Sequence, residues 1–349
     1  GQADVINASA GGSVNGTSGG YVGGLIGQYN PSQAATIANV SASGDVSTSG
    51  NRVGGLVGQA SSSSNNQITV SDAHASGAVN ATNTGKYAYT GGLIGEFQNA
   101  GNVTDVSAIG DVNASSTPGN GRRVGGLFGE LHHDQANYIV ANASASGDVD
   151  ATGQRVGGLI GYHDNGKLVN NVTATGDVST VRKRVGGLLG ETDASVIRES
   201  SASGDVTSTS GNKVGGLIGN HNPNQAATIR NVSASGNVST SGQKVGGLVG
   251  TSETTDQITV SNAHATGDVN ATETGTNSYA GGLFGRLRHA VDVTNVSATG
   301  DVSAQDNSYG RRVGGLFGEL HHDSANYILT NASATGDVDA TGQRVGGLI

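Results

Sequence analysis

Residues 142–160 read Asn142-Ala143-Ser144-Ala145-Ser146-Gly147-Asp148-Val149-Asp150-Ala151-Thr152-Gly153-Gln154-Arg155-Val156-Gly157-Gly158-Leu159-Ile160. Ala143, Ala145, Gly147 and Val149 stand two apart, with Ser and Asp between them. A spacing of two puts one set of side chains on one face of a strand, here small and apolar, and the polar set on the other. Upstream, the next apolar residue is Val140, three before Ala143 rather than two. The phase breaks there, so the chain turns a corner at Asn142. Asn and Asp suit such a corner because they tolerate left-handed backbone and bond their own turn.

Every part of this stretch recurs. Gly-Gly-Leu returns with its Leu at 25, 56, 93, 127, 159, 188, 217, 248, 283, 316 and 348, spaced 29 to 37 residues apart. Ala-x-Gly-x-Val lies between these runs in all eleven units, from Ala10-Gly12-Val14 to Ala334-Gly336-Val338. The corner position is always Asn, Asp or Glu: Asn7, Asn39, Asp72, Asp105, Asn142, Asn171, Glu199, Asn231, Asn262, Asn295 and Asn331. One unit cannot bury its apolar face alone, but stacked units can. The expected fold is all-β, a β-solenoid resembling a parallel β-helix, with about eleven coils. At roughly 4.8 Å per strand spacing this would be a rod on the order of 50 Å long. A helical repeat is disfavoured by the period of two and by the abundance of Gly and β-branched residues. The ladder residues of the quoted coil are Ala145, Gly147 and Val149 inside, Asn142 at the corner, and Asp148 and Arg155 outside.

Composition agrees. The 349 residues include 60 Gly, 3 Pro and no Cys, Met or Trp. Large side chains are too few for a wide core, so a narrow cross-section with little room for an interior ligand is expected. Without Cys there is no disulfide framework, thiolate zinc site or Cys nucleophile. A net charge of −9 argues against binding nucleic acid through its phosphates. No apolar run approaches the roughly 18 residues of a membrane span. A longer period is superimposed: residues 22–58 resemble 214–250, and 122–160 resemble 311–349. Six coils, about 190 residues, thus form a super-repeat. The expected organisation is one continuous solenoid array over 1–349, uncapped at both ends and a segment of a longer array or filament, since a bare solenoid end is a pairing edge.

The units resemble the GLUG repeat, named for a Gly-Leu-apolar-Gly core. It stands here as Val53-Gly54-Gly55-Leu56-Val57-Gly58 and Val214-Gly215-Gly216-Leu217-Ile218-Gly219. The resemblance implies a large secreted or cell-surface protein of bacteria or archaea, often adhesin-like, and offers no catalytic residues to carry over.

Several outward residues invite chemistry. The Asp before the ladder Val (Asp45, Asp111, Asp148, Asp177, Asp205, Asp268, Asp301, Asp337) tends to occur with a base before Val-Gly-Gly (Arg52, Arg123, Arg155, Arg184, Lys213, Lys244, Arg312, Arg344). An ion-pair ladder across the turn is the reading preferred to a row of calcium ions. His132 and His133, echoed by His321 and His322, precede His163 by one coil. They read first as solvated loop histidines and second as transition-metal ligands that could lie close together. Asn39, Asn142, Asn171, Asn231, Asn295 and Asn331 head Asn-x-Ser/Thr sequons, acceptors for glycosylation on a surface protein.

The functional expectation is a non-enzymatic extracellular protein, structural or adhesive, forming a rod, stalk or filament by end-to-end or lateral self-association, without a cofactor. One alternative is a glycan- or partner-binding module using the loops Ser61–Asn66, Asn83–Thr90 and Ser115–Gly121. A β-helix carbohydrate-active enzyme is the less favoured alternative, because a catalytic cleft should break the uniformity of the coils.

Overall fold

The computed structural model describes residues 4–17, 20–63, 66–82, 87–115, 122–133, 138–254, 256–272, 278–305, 311–322, 327–341 and 343–349. The loop expected at 83–90 therefore lies outside the described residues over 83–86, that at 115–121 over 116–121, and that at 61–66 over 64–65. The chain divides into two compact units, 1–176 and 177–349. The described residues form strands, turns and bends, without an α-helix.

Each unit is a parallel β-solenoid of about five turns, and each turn carries four strands. In the quoted coil these are Ile139–Ala145, Val149–Ala151, Arg155–Gly157 and Ile160–Asp164. Each strand pairs in parallel with its counterpart one coil away, so four sheets wrap the axis of a unit. Like meets like in the register. Ala108 faces Ala145, which faces Ala174; Val79 faces Val112, which faces Val149; Gly125 faces Gly157. The second unit repeats this with Ala202, Ala234, Ala265 and Ala298 and with Val206, Val238 and Val269.

The period of two explains what is buried. Within the stacks Val140, Val149, Val156, Leu159 and Ile160 are at most 1% exposed, and Ala143 and Ala145 are 2% exposed. The few large side chains also stack: Phe97 lies 6.3 Å from Phe128 in the first unit, and Phe284 lies 5.8 Å from Phe317 in the second, centroid to centroid. At the corner the backbone is left-handed in every coil, with φ from 49° to 56° from Asn7 to Asn331. Asn and Asp accept this conformation readily, and Glu199 occupies it once.

Gly147 has a different reason to be glycine. A Cβ there would lie 2.2 Å from the carbonyl oxygen of Gly110, and one on Gly110 would lie 2.2 Å from that of Gly77. Backbone rides directly on backbone at this turn, and no side chain fits between the coils. The Gly-Gly pair before Leu is equally tight. A Cβ on Gly54 would meet the Val57 carbonyl oxygen at 2.0 Å, and one on Gly55 would meet that of Gly92 at 2.2 Å.

Candidate functional site

With the interior filled, the groups able to do chemistry lie in columns that run from coil to coil on each unit. At the corner the column is a ladder of amides. Asn39 Nδ2 donates to Asn7 Oδ1 (2.5 Å), Asn142 to Asp105 (3.0 Å) and Asn171 to Asn142 (2.8 Å). In the second unit Asn231 donates to Glu199 (2.7 Å), Asn262 to Asn231 (2.7 Å) and Asn295 to Asn262 (2.5 Å). An amide both donates and accepts, so it can pass the bond along, whereas a carboxylate can only accept. The sequon residues Asn39, Asn142, Asn171, Asn231 and Asn295 are thus members of the ladder, and Asn331 holds the same left-handed corner.

The Asp column corrects the ion-pair reading. Asp111 Oδ1 accepts the backbone N–H of Asp148 (2.9 Å), and Asp45 accepts that of Ala78 (2.9 Å). Asp177, Asp205, Asp268 and Asp301 do the same for the equivalent residue one coil on, at 2.7–2.9 Å. Asn237 replaces Asp without loss of the bond, accepting from the N–H of Asp268 at 2.9 Å. The carboxylate holds a backbone donor of the next coil, and this explains why an acid or an amide serves there.

The bases find acids elsewhere. Arg52 pairs with Glu96, Arg123 with Glu130 and Arg312 with Glu319; Arg184 lies 2.9 Å from Glu191 and Lys244 3.1 Å from Glu253. Glu96, Glu130, Glu191 and Glu319 stand just after Gly-Leu-x-Gly on the fourth strand, beside the base on the third, and Glu253 follows the end of its fourth strand. A fixed offset across the Gly-Gly turn would have found three of them, since Arg123/Glu130, Arg184/Glu191 and Arg312/Glu319 are all seven apart. Where an aromatic replaces one partner, the cation stacks on it. Arg52 and Arg123 flank the Tyr89 ring at 5.5 and 5.0 Å, Arg123 and Arg155 lie over Tyr162 at 4.5 and 4.6 Å, and Arg286 and Arg312 flank Tyr279 at 5.3 Å each. Arg155, expected opposite Asp148, thus packs on Tyr162. Burial pushes the Arg123 guanidinium below its usual value, against the opposing pull of Tyr89. Burial also pushes Lys213 down, with Lys244 adding to it.

His132, His133 and His163 are brought together and the last two are not solvated, whereas His321 and His322 are exposed. His133 and His163 are fully buried, with ring centroids 5.4 Å apart and rings edge to face. The fourth strands Phe128–His132 and Ile160–Asp164 carry them inward. His133 Nδ1 meets the Ala100 carbonyl at 2.8 Å, and its ring stacks on Tyr138 at 6.0 Å. His132 is half-buried and reaches Asp164 at 2.9 Å. Burial lowers the pKa of His133 to about 4, against the Ala100 hydrogen bond, and that of His163 to about 3, with His133 adding to it. Gly166 accommodates the His163 ring, whose Cε1 would lie 2.0 Å from a Cβ. The second unit buries His221, whose Nδ1 and Nε2 meet Ser252 Oγ at 2.8 Å and the Ala194 carbonyl at 2.9 Å. Burial lowers its pKa to about 4, against the Ala194 bond. Among the described residues no three His, Asp or Glu side chains gather as a metal site.

Comparison with known proteins places GLUG motifs at residues 18–47, 152–179, 182–207 and 241–270. Over 54 residues, 16% of this chain, the sequence is 59% identical to Halomucin of Haloquadratum walsbyi (strain DSM 16790 / HBSQ001), and the matched stretch spans 1% of that protein. No solved structure matches the chain. Among the described residues no helix is long and apolar enough to cross a membrane.

Proposed function

We propose that this GLUG-motif chain is part of a non-enzymatic, extracellular structural or adhesive protein that forms a rod, stalk or filament at the cell surface. The observation that carries the reading is the coil-on-coil identity of the ladders within each unit: Ala on Ala, Val on Val and Gly on Gly in unbroken parallel register. Such stacking gives stability as a sum of neighbour contacts, and its length is set by the number of coils. The outer columns bind coil to coil, through Asp to backbone, Asn to Asn and, at Arg52 and Arg286, Arg to Glu, rather than converging on a substrate. The likeness to a stretch of Halomucin supports a surface setting. A further copy of these coils would pair by the same ladders, so self-association, end to end or lateral, is part of the proposal.

Electron microscopy of the purified chain over a concentration series tests it. Rods, or fibres that lengthen with concentration, are expected. Compact isometric particles at every concentration, or hydrolysis of a panel of polysaccharides, would overturn it.

A further inference from the structure

The super-repeat supplies an internal control, because the same corner is built twice with different residues. In the second unit, beyond the fourth strands Ile218–His221, Val249–Ser252 and Phe284–Arg288, lies an open cleft of about 370 Å³. Asn222, Asn224, Glu253, Thr254, Arg288 and His289 line it. The corresponding residues of the first unit are Asn30, Ser32, Ser61, Ser62, Gln98 and Asn99, all neutral.

The first unit uses its set internally. Gln98 Nε2 donates to Glu96 Oε1 at 2.8 Å, Asn99 Nδ2 donates to the Ser62 carbonyl, and Ser61 Oγ lies 3.5 Å from Gln98 Oε1. The second unit does not. Glu253 is already held by Lys244 (3.1 Å), Arg286 (2.8 Å) and the Thr251 hydroxyl (3.0 Å), and Arg286 also reaches Glu319 (2.6 Å). Against the burial that would raise it, these cations hold Glu253 down to about 2. Arg288, next to Glu253 in the stack, is left over. Its Nε is buried without a hydrogen-bond partner, and no described carboxylate pairs with it. Among the described residues Lys244, Arg286 and Arg312 pair with Glu253 and Glu319 while Arg288 pairs with neither, a local positive surplus on a chain of net charge −9.

A half-buried guanidinium without a counter-ion is costly unless something supplies one. Its planar fork matches a carboxylate. Around it stand two exposed amides and a hydroxyl, groups that donate as well as accept and so suit vicinal sugar hydroxyls. Thr254 Oγ1 accepts the Asp256 N–H at 3.1 Å, which leaves its own O–H to donate. The cleft is at the small end of the roughly 300–1,000 Å³ of small-ligand sites. An acidic peptide would ask instead for a free strand edge or apolar side-chain pockets.

We propose that this cleft binds an acidic saccharide, with the carboxylate of a uronate-type sugar on Arg288 and its hydroxyls on Asn222, Asn224 and Thr254. The site goes beyond the structural role proposed above and can fail without it, since a rod need not bind sugar.

Calorimetric titration of the full chain with oligogalacturonate tests it, alongside a neutral galacto-oligosaccharide of equal length and oligoglutamate. Saturable binding of the uronate is expected, at least tenfold tighter than either control and weakened by salt. Arg288→Gln, which installs the residue of the first unit, should weaken it at least tenfold; Arg288→Lys should retain part. Asn222→Ala, at an exposed position, should weaken it severalfold and serves if the Arg288 variants do not fold. No saturable uronate binding, unchanged binding in folded Arg288→Gln, or in Asn222→Ala where Arg288→Gln does not fold, or equal affinity for either control would overturn the assignment.

Discussion

The inner stacks and the outer columns of each unit obey different rules. Inside, Gly147 sits on Gly110 with no room for a methyl group, and Ala145 and Val149 meet their own kind above or below. Outside, beside Val-Gly-Gly and Gly-Leu-x-Gly, neighbouring coils exchange Arg for Tyr and Glu for Gln, Asn, Thr or Arg. The exchange works because partners change together: Arg123 takes Glu130, Arg155 takes Tyr162, and Arg286 takes both Glu253 and Glu319. Steric contact between backbones leaves one solution; hydrogen bonds and charge leave several. Identity along the axis therefore marks structural demand, and departure from it marks where a coil is free to take on a function.

The contrast breaks most visibly at Gly147. Gly147→Val should cost about 3 kcal/mol or more in denaturant unfolding, because backbone cannot move aside as a flexible side chain can. A cost below about 1 kcal/mol would show that the inner stack tolerates what the outer columns tolerate.

Acid should come next. Folded His221 titrates near pH 4 because burial opposes its charge, whereas the unfolded residue titrates near 6.5. Between those values the unfolded chain holds more protons. The stability owed to neutral His221 is therefore complete above about pH 6.5 and falls as the pH drops toward 4, by up to about 3 kcal/mol. His133 and His163 act with the same sign, their windows reaching down to about 4 and about 3. Glu253 adds a lower window, its contribution being lost between about 4.5 and about 2. Thermal melts from pH 7.5 to 4 on the parent chain and on His221→Asn check this; the variant should lose part of the acid sensitivity. An unchanged slope would show that buried neutral histidine does not carry it.

The smallest effect sharpens the tolerance of the outer columns. Asp111→Ala should cost about 1 kcal/mol, the worth of one bond to the Asp148 N–H, while Asp111→Asn should cost only a few tenths. Asn237 already performs this task for Asp268. Equal costs for the two variants would mean that the charge, rather than the acceptor, is what matters.

The repeat made most of the fold readable. The period of two identified the buried Ala, Gly and Val, and the three-residue step located the left-handed corner at Asn142 and its counterparts. The partners of the outer residues were less legible. Asp45 and Arg52, like Asp148 and Arg155, come and go together along the sequence, which suggested an ion pair, but Asp45 accepts the Ala78 N–H and Arg52 pairs with Glu96. The histidines sit in what read as loops, and only the longer fourth strands of those coils show that His133 and His163 turn inward. The cleft at Arg288 was invisible in one dimension. Its residues are scattered over 222–289, and nothing in that string marks Arg288 as the cation left without a partner.

The amino-acid sequence by itself determined that this chain coils, which residues line the interior and where each coil bends, because those properties follow from side-chain size and backbone preference repeated at a fixed period. The tertiary structure alone decided which polar group answers which. The hydrogen bonds of the Asp and Asn columns join residues about thirty positions apart, the ion pairs join residues between seven and 44 apart, and the choice among several nearby partners depends on the lateral offset between adjacent coils, a distance that a repeat length does not contain.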